Sequence, residues 1–167
     1  MLSPHCPSLR NHWTRRDSNA TVLTRRWRRF LEVERLESRI TPSISGGELT
    51  TNGGFETGDL SGWTLSGNSS DISITGLSHS GNYAAEAGPV GPRGHLSQTL
   101  ATVAGTQYTF SWWLQSDGGT PNQVQVSWDD QVILNQAHLP SFSYQQYSFT
   151  ETASGAQTTI QFGFRND

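Results

Sequence analysis

The chain has 167 residues, eleven arginines, no lysine and fourteen acids, for a net charge of −3, enough for one ordinary domain and an appendage. A single cysteine, Cys6, excludes an intramolecular disulfide, and no stretch approaches the roughly 18 apolar residues of a membrane span. The charge is divided unevenly: residues 1–43 hold nine arginines against four acids, a net +5, and residues 44–167 hold two against ten, a net −8.

Opposite charge predicts two parts, an Arg-rich arm over 1–43 and a folded domain over 44–167. The arm lacks the apolar centre, about 7–15 residues long, of a secretory signal. Up to about Leu23 it is polar and aperiodic, the composition of a disordered segment. From Thr24 to Ile40 the apolar residues Trp27, Phe30, Leu31, Val33, Leu36 and Ile40 recur at three- and four-residue steps, which predicts a short amphipathic helix ended by Pro42. Leu36-Glu37-Ser38-Arg39, preceded by Arg28-Arg29, resembles the LEPR-XLL-type sorting motif of large bacterial surface proteins, although Ile40-Thr41-Pro42 departs from its leucine pair. An inert solvated helix is the plain alternative. Arg-rich runs with aromatics also bind nucleic acid, but Glu32, Glu34 and Glu37 on the same stretch argue against that.

Next comes Asn52-Gly-Gly-Phe-Glu-Thr-Gly-Asp-Leu-Ser-Gly-Trp-Thr64, too rich in glycine and turn-forming side chains for a helix. Phe55 and Trp63 give its two ends something to bury. Beyond it, short alternating runs separated by turn clusters predict an all-β sandwich of two antiparallel sheets. Strands are expected near 48–51, 54–57, 62–66, 71–75, 83–87, 95–102, 106–115, 122–128, 131–135, 143–151 and 157–165. In the longest, Tyr108, Phe110, Trp112 and Leu114 alternate with Gln107, Thr109, Ser111, Trp113 and Gln115, so the first set faces the core and the second faces outward. Val124, Val126 and Trp128 alternate in the same way with Gln123, Gln125 and Ser127, and Ile160, Phe162 and Phe164 with Gln161, Gly163 and Arg165. Asp129-Asp130 is expected to turn a hairpin, with a metal or hydroxyl role as the alternative.

These stretches resemble the galactose-binding-domain-like jelly rolls, many of them carbohydrate-binding modules of exported bacterial proteins. The residues that carry the resemblance are N-G-G-F-E-T-G-D-L-S-G-W from Asn52, S-G-N-Y-A-A from Ser80, S-Q-T-L from Ser97, G-T-Q-Y-T-F-S-W-W-L from Gly105 and F-G-F-R-N-D from Phe162. The resemblance implies a jelly-roll fold, a polysaccharide or cell-surface glycan as partner, and an extracellular or cell-surface location. It also implies a closing strand after R-N-D, absent here, and a structural Ca²⁺. The Ca²⁺ would be held by the Glu56 carboxylate, by carbonyls near Asn52 and Asn82, and by an Asp of that closing strand. Glu56 as a turn-capping acid is the competing assignment.

For the glycan, the outward Trp113 is positioned to stack on a sugar ring while Gln107, Gln115, Gln123 or Gln125 bond its hydroxyls. Alternatively, that face is covered and Trp113 is core. No G-x-S-x-G, H-E-x-x-H, phosphate-binding loop or dinucleotide fingerprint occurs, and the five histidines lack metal-ligand spacing. A non-catalytic binding module is therefore expected. The alternative is a structural or adhesive sandwich without a glycan ligand.

Overall fold

The computed structural model describes residues 29–38 and 47–167. These build ten strands: β1 Arg29–Ser38, β2 Thr64–Gly67, β3 Ile72–Thr75, β4 Ala84–Ala87, β5 Gly94–Ala101, β6 Gln107–Asp117, β7 Asn122–Trp128, β8 Gln131–Ala137, β9 Ser141–Thr152 and β10 Gln157–Asn166. They form two five-stranded sheets in the orders β3-β4-β1-β6-β9 and β2-β5-β10-β7-β8, and every described pairing is antiparallel. This is the sandwich of two antiparallel sheets that the alternating runs predict, and the jelly roll that the resemblance implies.

Period-two alternation decides the core. Phe110, Trp112 and Leu114 of β6, Val124 and Val126 of β7, and Ile160, Phe162 and Phe164 of β10 are at most 1% exposed. Trp112 lies parallel to Tyr147 and Phe149 of β9, with ring centroids 5.6 and 5.5 Å away, and meets Phe162 of the opposite sheet edge-on. Removing so much apolar surface from water stabilises the fold by about 1.5–3 kcal/mol per large side chain. The hairpin at Asp129-Asp130 is as expected, with φ of 50° and 65°, the left-handed pair of a two-residue turn between twisted strands.

Two expectations are corrected. The helix predicted over Thr24–Ile40 is, over residues 29–38, the strand β1, set between β4 and β6 at the centre of its sheet. The same apolar residues admit both periods. Leu31 and Val33 alternate with Glu32, and two flanking strands satisfy the backbone on both sides, which no isolated helix of this length can match. Residues 24–28 and 39–40 lie outside the described residues, as do the disordered stretch expected before Leu23, Cys6, and the boundary expected near residues 41–43. The predicted strands at 48–51 and 54–57 are instead an isolated bridge and consecutive turns. There the amides of Phe55, Gly58 and Trp63 donate to the carbonyls three residues earlier, at 2.9–3.1 Å.

Candidate functional site

The turn run is locked from within. The Asn52 carboxamide donates to the carbonyls of Asp59 and Ser61 and accepts from the Thr57 amide. Its backbone carbonyl accepts from Trp63 Nε1 at 3.1 Å and from the Phe55 amide. Asn52 and Phe55 both hold positive φ, 53° and 59°, an outlying conformation for a bulky residue. Phe55 tolerates it because its ring is fully buried, stacked on Trp63 at 5.5 Å.

Glu56 projects from this turn to a second loop. Its carboxylate accepts the backbone amides of Asn82 and Tyr83 at 3.0–3.2 Å and the Asn82 carboxamide at 3.1 Å. These bonds, the Asn82 amide first, hold the Glu56 carboxyl below its ordinary range. Glu56 and Asn82 are thus brought together as acceptor and donor, while the Asn52 carbonyl is occupied elsewhere. The three residues do not fit a Ca²⁺ site as arranged, and the turn-capping role accounts for Glu56.

Oxygen donors gather close by instead. Glu56 borders a cavity of about 560 Å³ lined also by Glu32, Val33, Glu48, Thr50 and Gly53. A Cβ on Gly53 would lie closer than 3.0 Å to Glu48 Oε1, Thr50 Oγ1 and the Val33 carbonyl. Thr50 Oγ1 donates to Glu48 Oε1, a bond a cation would have to replace, and three hard oxygens around one point are the donor chemistry that Ca²⁺ takes. Glu48, Thr50 and Val33 were not legible as a set, because Val33 comes from a strand read as helix and donates only its backbone.

The five residues expected to hold a glycan are divided between opposite faces of the sandwich. Gln107, Trp113 and Gln115 lie on β6 in one sheet, Gln123 and Gln125 on β7 in the other. The hydrophobic core separates them, so the five cannot converge on one ligand.

On the β6 face, Trp113 is half-buried beneath the loop before β4. The His79 ring stacks on it at 3.8 Å with an interplanar angle of 12°, and Tyr144 of β9 meets His79 edge-on. Tyr144 donates its hydroxyl to the Leu77 carbonyl at 2.8 Å. Glu32, directly opposite Trp113 in register and 3% exposed, accepts the His79 and Ser80 amides at 3.0 and 3.1 Å, and the Ser80 hydroxyl as well. Burial, then the Glu32 charge, pushes the Tyr144 hydroxyl up. The outer plate of this face is therefore His79, with Trp113 as its support.

On the β7 face, Arg93 reaches across the sheet. Its Nε donates to Gln123 Oε1 at 3.3 Å and its Nη1 to Gln125 Oε1 at 2.6 Å, while Gln123 Nε2 donates to Asn135 Oδ1 at 2.7 Å. Beside it on β5, burial and the Arg93 charge hold the His95 imidazole below its usual pKa. Arg93 stands in the Gly-Pro-Val-Gly-Pro-Arg-Gly loop over residues 88–94, just ahead of β5, and nothing in that pattern marks it as a site residue.

Comparison with known proteins bears on this geometry. A family described as "Carbohydrate binding domain" matches residues 47–166. Among solved structures, TmCBM61 in complex with β-1,4-galactotriose aligns at TM-score 0.58 and 18% identity, over 70% of this chain and 86% of that one. The enzymatically active domain of bacteriophage CBA120 tailspike protein 4 aligns at TM-score 0.53 and 14% identity, over 71% of this chain and 19% of that one. At those identities both share the fold alone. No curated protein matches.

Proposed function

The chain belongs to the carbohydrate binding domain family, and we propose that it serves as a non-catalytic, saccharide-retaining module of an exported or cell-surface bacterial protein. The family match across the sandwich carries this reading. Its outer faces agree with it, since their carboxamides and hydroxyls are the groups that exchange hydrogen bonds with sugars. The extracellular assignment rests on the jelly-roll resemblance and on the LEPR-XLL-like stretch.

The test is a saccharide screen of the whole chain by affinity electrophoresis and calorimetry. Its panel is β-1,4-galactotriose, the sugar bound by TmCBM61, with cellotriose, xylotriose and mannotriose. Retention of at least one is the expected result, and uniform blankness would refute the reading. One observation favours a structural or adhesive sandwich instead: Trp113, the large aromatic of the polar face, lies under His79 and offers no open ring face outward.

A structural Ca²⁺ belongs to the same proposal, with different ligands from those the resemblance implied. Glu48, Thr50 and the Val33 carbonyl would hold it. When bound, the ion would neutralise the acidic cavity and tie β1 to the turn that follows residue 48. Glu56 would remain a clamp between loops.

A further inference from the structure

We propose that the open edge of β9 is a self-association surface, on which a second copy of this chain pairs strand to strand across a two-fold axis. The inference is independent of the saccharide reading, since it concerns one side of the sandwich and not its outer faces.

Sheet order sets up the surface. β9 and β8 end the two sheets on one side of the sandwich, and β3 and β2 end them on the other. Tyr147 of β9 donates its hydroxyl to Gln136 Oε1 of β8 at 3.4 Å, which ties the two edges of that side together. Natural edges are guarded by short strands, lysines, prolines or bulges. The far side is guarded by brevity, since β2 and β3 have four residues each. β9 has twelve residues and neither proline nor lysine, and among the described residues it pairs only with β6. Its one bulge lies near its start, where the register with β6 shifts between Leu114 and Ser116. From Gln145 to Thr152 the pairing is regular, so this segment offers a straight row of backbone donors and acceptors.

Charge and register say which occupant suits it. Residues 44–167 carry a net −8, yet residues 131–152, which hold β8 and β9, include one acid, Glu151, and no arginine. A charged foreign strand would find no complement there, whereas two copies of an acidic domain can meet without setting acids against each other. A two-fold axis through an antiparallel pair keeps each face on its own side, so a residue must meet one of its own face. With Ser148 opposite its own copy, the exposed Gln146 meets the exposed Thr150 on the outer side. On the core side Gln145 meets Glu151, and the half-buried Tyr147 meets the half-buried Phe149. Glu151 never faces its twin. Tyr147 and Phe149 already lie parallel to Trp112, so their pairing extends that aromatic row across the axis, and aromatic cross-strand pairs stabilise a sheet.

The experiment is sedimentation velocity on the full chain from micromolar to millimolar concentration. The wild type should pass from one copy to two as concentration rises. Ser148→Lys sets two ammonium groups against each other at the axis and should weaken the pair at least tenfold. Thr64→Lys, exposed on the far edge, should leave it unchanged. In a Cys6→Ser background, Ser148→Cys should cross-link two copies under mild oxidation, whereas Gln146→Cys, facing Thr150, should not. The cysteine pair decides alone if the lysine variant does not fold. A chain that stays single throughout, assembly beyond two copies, or a dimer indifferent to Ser148→Lys overturns the proposal. Equal cross-linking at the two cysteines, or none at either, overturns it as well. No outcome bears on the saccharide screen, which stands or falls separately.

Discussion

Glu56 and Asn82, twenty-six positions apart, are joined by three hydrogen bonds, all donated by Asn82 to the one carboxylate. The contact fastens the turn run to the loop ahead of β4 and depresses the carboxyl pKa below the ordinary 4.5. For an acid, a depressed folded-state pKa means stabilisation that is complete above the unfolded pKa and lost as pH falls through the folded one. Glu56→Gln should therefore melt earlier than wild type at neutral pH. The gap should close as pH drops below about 4.5, the ordinary carboxyl value of this glutamate. Thermal melts from pH 7 to pH 3 check this, and a gap that is constant across the range would refute it.

The central place of β1 carries a larger stake. Leu31 is 1% exposed between the sheets, and the Val33 amide donates to the Gly53 carbonyl at 3.2 Å. Leu31→Ala should cost about 2–5 kcal/mol, the usual range for an emptied core leucine. Urea titration measures it. A change below about 0.5 kcal/mol, as for an exposed position, would mean that residues 29–38 stand apart from the sandwich.

Calcium separates the two carboxylate sites. With millimolar Ca²⁺ against a chelator, wild type should gain melting temperature, since a ligand bound only by the folded state stabilises it. Glu48→Gln should abolish the gain. Glu56→Gln should keep it, although its starting melting temperature is lower. The reverse pattern would return the ion to Glu56.

Most of the fold was legible, because sandwich strands announce themselves by alternation. Tyr108, Phe110, Trp112 and Leu114 occupy the core side that their spacing requires, and Asp129-Asp130 turns the hairpin. The misreading fell where one apolar pattern fits two periods: Leu31, Val33 and Leu36 satisfy a helix and a strand alike, and only a vacant place between β4 and β6 decides. The site was half legible for a different reason. Alternation tells which side chains point outward from a strand, not to which sheet that strand belongs. Gln115 and Gln123 therefore read as neighbours, although a core lies between their faces. Arg93 and His79 come from loops without any period, where pattern carries no information about what they will cover.

Arg29 offers the sharpest test of how the sandwich end is built. It enters the core side of β1, 2% exposed, and donates Nη1 to the Gln123 carbonyl at 2.6 Å. Its Nη2 has no hydrogen-bond partner among the described residues. Burial lowers its pKa to about 10, with the Asp117 charge opposing that shift. A buried cation with an unpartnered Nη2 is expensive to desolvate, and replacing such groups by apolar ones of similar volume is often neutral or stabilising by about 1–4 kcal/mol. Arg29→Met keeps the stem and removes the charge, so it should melt at or above the wild-type temperature. Arg29→Ala keeps neither and should melt below both, because it leaves a void beside Leu31. If Arg29→Met instead destabilises as much as Arg29→Ala, the guanidinium is a structural strut, and the bond to Gln123 outweighs the loss of hydration.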